Sequence, residues 1–131
     1  MIAVDASALV AILLEEPDSL VFAEALADSA AVSLSPVGYW EAATRLRVAR
    51  GQSGVADLDR LIETFQIRIT PASQKTARIA ARAEAQFGKR TAARLNLGDC
   101  FAYATAKELD APLLYKGDDF SRTDVASALT A

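Results

Sequence analysis

Short apolar runs alternate along this chain with longer stretches of helical period. MIAVD (1–5) reads as a buried strand ending on Asp5, and residues 6–14 continue as an apolar helix. Glu15, Glu16 and Pro17 break that helix, and Asp18 is placed to cap a second one through about Ala27. AVSLS (31–35) is a second strand. Pro36 suits the first turn of a helix that passes Glu41, reaches Arg50 and stops at Gly51. Residues 55–65 carry Leu58, Leu61, Ile62 and Phe65 on one helical face, and QIRIT (66–70) alternates as a strand does. Ser73 caps a helix to Phe87, which Gly88 closes. KRTAARLN (89–96) is a polar, basic loop. Asp99 then opens a helix through Leu109, PLLY (112–115) is a fourth strand, and TDVASAL (123–129) is a candidate fifth.

Strands that alternate with helices require crossover connections. The expected fold is therefore α/β, a mainly parallel sheet of four to five strands with helices on both faces. No linker, repeat or low-complexity tract divides residues 1–131, so a single domain is expected. In such sheets ligands bind outside the carboxyl ends of the strands.

Composition then narrows the chemistry. Hydrophobic residues make up 52% of the chain and mean hydropathy is +0.17, which argues against disorder. The longest uninterrupted apolar run, Ala8–Leu14, is too short for a bilayer and has no basic leader, so no membrane association and a cytoplasmic location are expected. Cys100 is the single cysteine, which leaves no internal disulfide and no cysteine-based zinc site. There is no histidine. That removes Ser-His-Asp and Cys-His triads and histidine general bases, leaving carboxylates with a metal, or a rarer Ser-Lys pair, to drive any hydrolysis.

The net charge of −3 hides a split. Residues 45–94 hold eleven of the 14 basic residues and four acids, a net +7, whereas the rest of the chain is −10. A basic middle between acidic flanks attracts polyanions locally, although solvated helix faces produce the same pattern.

Four acidic positions fall where the expected fold puts a ligand. Asp5 and the pair Asp118–Asp119 follow strands, and Glu41 and Asp99 lie early in helices that face the same rim. Each has a plainer explanation. Asp5 and Asp99 are good helix caps, and Asp118 and Asp119 are good turn residues. Glu41 is harder to explain so, because it sits among Tyr39, Trp40, Ala42 and Ala43 and an unpaired buried carboxylate is costly. Two carboxylates about 4 Å apart repel by roughly 4 kcal/mol at an effective dielectric of 20. A hard divalent cation reverses that sign, and all-oxygen ligands select Mg²⁺ or Mn²⁺.

These residues carry a family resemblance. IAVDASALVAILLEEPD at the N-terminus, the helix bearing Glu41, and RLNLGDCFAYATAKELDAPLLYKGDDFSRTDV (94–125) resemble PIN-domain ribonucleases, specifically VapC-like toxins of type II toxin–antitoxin systems. The likeness runs essentially the whole length, though 51–90 carries little signature. It implies a PIN-like three-layer α/β/α sandwich and Mg²⁺-dependent hydrolysis of RNA phosphodiesters, with Mn²⁺ as a substitute. The family's acids map onto Asp5, Glu41 and Asp99. The fourth falls on Asp118 or Asp119, and the variable residue before the last acid in relatives favours Asp119. Ser7 matches a supporting hydroxyl, and Asn96 a polar residue before the third acid.

By the same resemblance, Asp5, Asp99 and Asp119 (or Asp118) hold one or two ions, while Glu41 binds a second ion or orients the attacking water. Arg94, Lys89, Arg90 and Lys116 are placed to hold flanking phosphates. Tyr103 and Cys100 read as core. The implied partners are a second copy in a homodimer and a VapB-like antitoxin in a toxin–antitoxin hetero-oligomer. Trp40, Tyr39 and the helices at 6–14 and 19–27 are candidate surfaces for them, unless they are ordinary core. Three alternatives stand beside this reading: an inactive PIN scaffold that only binds a partner, a Mg²⁺-binding receiver-like phospho-acceptor, and a Ser-Lys hydrolase through Ser121. The receiver needs an acidic pair at the first strand's end, where Asp5 stands alone.

Overall fold

The computed structural model describes residues 1–129. Four strands, β1 (Ile2–Val4), β2 (Val32–Leu34), β3 (Arg68–Ile69) and β4 (Leu113–Leu114), form an all-parallel sheet in the order β3-β2-β1-β4. The helices are α1 (Ala6–Leu13), α2 (Ser19–Asp28), α3 (Pro36–Thr64), α4 (Gln74–Phe87) and α5 (Leu97–Leu109). Alternate strand residues feed two cores, as the pleat requires. Val4, Leu34 and Leu114 pack with α1, α2 and α3, whereas Ala3 and Leu113 pack with α4 and α5. The expected three-layer α/β/α sandwich is thus the observed one. No helix among the described residues is long and apolar enough to cross a membrane.

The strands are shorter than the runs that carry them; after β1 and β2 the next helix begins only two residues beyond the strand's last residue. The candidate fifth strand is reduced to one parallel bridge, Leu113 to Ser127, with hydrogen bonds from Leu113 N to Ala126 O and from Ala128 N to Leu113 O. Residues 36–64 run as two helical stretches broken at Gly51, whose φ of 68° lies in the left-handed region where a side chain is strained. The stop expected at Gly51 is therefore a kink, with helix resuming directly after it.

Two expected caps differ. Asp18 makes no side-chain cap bond to α2; its carboxylate and that of Glu16 instead pair with Lys116 Nζ at 3.2 and 2.7 Å. Helix α5 starts at Leu97, with Asn96 as its cap and Asp99 in its first turn. The Asn96 side chain accepts from the Asp99 N–H, and Asp99 Oδ2 accepts in return from the Asn96 N–H, a reciprocal capping box that closes the start of α5.

The topology brings the candidate acids to one edge. The chain runs outward from β1 through β2 to β3, then returns across the other face to lay β4 on the far side of β1. The order reverses between β1 and β4, and the carboxyl ends at that reversal form the crevice where open α/β sheets bind ligands.

Candidate metal centre

Asp5 follows β1 directly and is 4% exposed. Its N–H donates to Leu114 O at 2.8 Å, which fixes its backbone to the end of β4. Oδ2 accepts from Ser7 N at 3.1 Å and from Ser7 Oγ at 2.6 Å. Ser7 Oγ in turn accepts from Lys116 N at 3.0 Å, so the hydroxyl ties the carboxylate to the chain leaving β4. Oδ1 is buried and has no hydrogen-bond partner among the described residues. A buried lone carboxylate oxygen is costly without a partner, so this atom asks for one.

The other acids converge on it from three elements. Burial chiefly raises the Asp5 pKa; the Ser7 hydrogen bonds work against that, while Glu41 pushes further up and Arg45 pulls down. Glu41, in the second turn of α3, is raised by burial and then by Asp99, with Arg45 again opposing. Asp99 is pushed up to about 6. Its burial is the main cause; the Asn96 N–H lowers it, Asp5 and Asp119 raise it, and Lys89 lowers it. Asp119 begins the 3-10 turn Asp119–Arg122 and so lies within electrostatic reach of Asp99. Asp118 and Asp119 are both exposed, and Asp119 is the one of the pair that acts on Asp99.

Like charges held together against mutual repulsion are a functional signature rather than a stability device. Among the described residues, no three acids are already closed into a metal cage. The donor set nevertheless fits a hard divalent cation: it is all oxygen, it carries an orphaned buried carboxylate atom, and its protons are bound unusually tightly.

The sign of the resulting pH dependence follows from linkage. Burial pushes the Asp99 pKa up to about 6 in the fold from an ordinary 3.8, so between these values the metal-free fold binds more protons than the unfolded chain. Its stability therefore falls as pH rises through that window, and Asp5 and Glu41 act in the same direction. Melting in EDTA is expected to give a lower Tm at pH 7 than at pH 5, with a smaller drop for Asp99→Asn. Equal drops in both proteins would place the titration elsewhere.

The basic residues divide. Lys89, Arg90 and Arg94 are exposed on the loop before α5, and Lys89 acts on Asp99. That loop is pinned, not slack. Leu95 N donates to Phe87 O, Ala93 and Leu95 are buried, and Arg122 Nη1 holds Ala92 O at 3.0 Å. Lys116, by contrast, has its ammonium engaged by Glu16 and Asp18. Two contributors escaped the sequence reading. Arg45 lies one turn beyond Glu41 and acts through its charge on both Asp5 and Glu41; its relation to Glu41 is legible as an i, i+4 pair on one helix face. Arg122 joins the 3-10 turn to a loop 30 residues earlier, and no local pattern signals that.

Tyr103 and Cys100 are buried, as expected of core. Of the candidate partner surfaces, α1 is core, with Ala6 and Ala8 to Ala11 buried. Trp40 is 65% exposed and forms an apolar patch with Pro36, Val37 and Leu97, while Leu20 and Val21 are exposed on α2. Tyr39 is half-buried and its hydroxyl donates to Asp59 at 2.7 Å.

Fold and acids together define a carboxylate-lined α/β domain with its site at the β1/β4 reversal. Comparison with known proteins gives the family: residues 2–126 match the PIN domain. The chain is 41% identical over 128 residues to Ribonuclease VapC28 of Mycobacterium tuberculosis, covering 96% of both chains, and 39% identical over 125 residues to Ribonuclease VapC of Mycolicibacterium smegmatis, covering 95% and 97%. Its fold is similar to that of M. tuberculosis VapC20, a sarcin-ricin loop cleaving toxin, with a TM-score of 0.80, 16% identity and 96% and 97% of the chains covered. It is also similar to a chain of VapBC2 from Rickettsia felis, solved with a DNA fragment from their promoter (TM-score 0.76, 16% identity, 97% and 96% covered). The chain belongs to the PIN-domain family, among the VapC ribonucleases. Membership sets aside the receiver-like and Ser-Lys readings.

Proposed function

We propose that this chain is a Mg²⁺-dependent endoribonuclease and the toxin of a VapBC-type toxin–antitoxin pair. The observation that carries the metal is the orphaned Oδ1 of Asp5 beneath a cluster of acids whose protons are held unusually tightly. Asp5, Asp99 and Asp119 would hold the ion, with Asp118 left to the turn. A bound Mg²⁺ or Mn²⁺ lowers the pKa of a water and neutralises charge on the scissile phosphate. Glu41, half-buried beside Asp99, is placed to accept a proton from the attacking water or to complete the ion's ligands. Ser7 and Asn96 support by holding Asp5 and Asp99 in place. In this reading Lys89, Arg90 and Arg94 grip the phosphates flanking the cut. Lys116 joins them only by exchanging the two carboxylates it now holds.

The test is direct. Purified protein is expected to cleave a structured RNA in Mg²⁺ or Mn²⁺ and to stop in EDTA; cleavage that persists unchanged in EDTA, after removal of contaminating nucleases, overturns the mechanism. Arg94→Ala is expected to weaken RNA binding and to flatten its salt dependence by about one unit of slope per lost phosphate contact. An unchanged slope would assign Arg94 to the loop's structure, where it holds a left-handed φ of 58°.

For partners, a similar fold occurs in a toxin–antitoxin complex from Klebsiella pneumoniae (TM-score 0.73, 16% identity), and the reading extends to a VapB-like antitoxin and a homodimer. The exposed patch of Trp40 and Leu97 beside Glu41 and Asp99 supports such a contact, because solvent-facing Trp in a contiguous apolar patch marks an interaction surface. Sedimentation of the chain alone and with its antitoxin measures both associations.

A further inference from the structure

Gly98 occupies the second position of α5, between the Asn96 cap and Asp99. Nothing in its backbone asks for glycine. The residue is helical, its φ is not positive, and glycine is a poorer helix former than alanine. The reason lies in space. A Cβ built on Gly98 would meet the carboxylate of Glu41 before anything else, 2.7 Å from Cδ and 2.8 Å from Oε2, and nearer still to Oε1. All three nearest atoms belong to that one carboxylate, which comes from a helix 57 positions earlier in the chain. We propose that Gly98 is a positioning residue: its missing side chain is the recess that lets the Glu41 carboxylate lie against the first turn of α5, beside Asp99.

Two parts of the packing support this role. Glu41 approaches another acid, so repulsion alone would swing its flexible side chain outward; a recess in the facing helix is what leaves room for the close position. The second part is that the clash falls on the far end of a flexible side chain. Adding a methyl group therefore displaces the Glu41 carboxylate and leaves the backbone of α5, and the Asn96–Asp99 capping box, where they are. The substitution should thus act on the site without unfolding the protein. This inference rests on the role given above to Glu41.

The experiment is a cycle of Gly98→Ala, Glu41→Ala and the double variant, read by two measurements: the rise in Tm caused by Mn²⁺, and single-turnover RNA cleavage. Gly98→Ala is expected to melt no lower than the parent in EDTA, to lose at least half of the Mn²⁺-induced rise, and to cleave at least tenfold more slowly. In the Glu41→Ala background it is expected to add no further loss, because the group it displaces is gone. Glu41→Asp, shorter by one methylene, should recover part of the Mn²⁺ response when combined with Gly98→Ala. Should Gly98→Ala fold poorly in EDTA, its melt in the Glu41→Ala background decides: recovery of the Tm of Glu41→Ala alone places the clash on the Glu41 carboxylate, and no recovery overturns the proposal. Normal cleavage by a folded Gly98→Ala, or a full additional loss of cleavage in the Glu41→Ala background, overturns it as well. If Glu41→Ala itself leaves metal response and cleavage untouched, the role of Glu41 fails, and the positioning role fails with it.

Discussion

Asp99→Asn is expected to lower single-turnover RNA cleavage at saturating Mg²⁺ by on the order of a thousandfold while the fold survives. The magnitude follows from losing several kcal/mol of metal-borne charge stabilisation, at about 1.4 kcal/mol per tenfold in rate. Survival of the fold follows from the shape of the substitution. Asp99 Oδ2 accepts from Asn96 N at 3.0 Å, and the asparagine amide oxygen is able to accept the same bond, so the start of α5 remains closed. The charge is what disappears. At pH 7 the Asp99 carboxylate is ionised against the pull of burial and the push of Asp5 and Asp119. Its removal should therefore raise the metal-free Tm and at the same time abolish most of the Mn²⁺-induced rise. A purely structural cap would do neither, since asparagine caps as well as aspartate. Melts with EDTA and with millimolar Mn²⁺, beside the cleavage assay, separate the two roles; a variant that cleaves normally and keeps its Mn²⁺ response would remove Asp99 from the metal site.

The second large effect divides two neighbours. Asp119→Asn is expected to lose on the order of a hundredfold in cleavage, whereas Asp118→Asn stays within a fewfold of the parent. Asp119 acts on Asp99, and the next residue, Phe120, anchors the turn: it is 2% exposed, with its ring centroid 5.0 Å from that of Tyr115 in a tilted pair. Arg122 Nη1 holds the other end of the same 3-10 turn to Ala92 O. Asp118 makes no side-chain cap bond, and what it supplies to the turn is its backbone carbonyl, which accepts from Ser121 N at 3.1 Å. Asparagine leaves that carbonyl in place. Single-turnover cleavage at saturating Mg²⁺, with circular dichroism to verify the fold, makes the comparison. An inactive Asp118→Asn beside an active Asp119→Asn would shift the register by one residue, and two active variants would take the pair out of the site.

Much of this was legible in the chain itself, for a physical reason. Apolar periodicity, Pro36 at a helix start and the breaks at Gly51 and Gly88 are local, and they suffice to order strands and helices into a parallel α/β sandwich. The absence of histidine restricts the chemistry to carboxylates before any coordinate is known. What the chain could not express is contact between residues distant in sequence. Only the tertiary structure put the Asp18 carboxylate against Lys116 instead of on the N–H groups of α2, turned Trp40 outward while it sank α1 into the core, and set the carboxylate of Glu41 into the space at Gly98. Local pattern records what one segment prefers; burial, repulsion and steric room belong to pairs of segments, and they exist only once the sheet has brought those segments together.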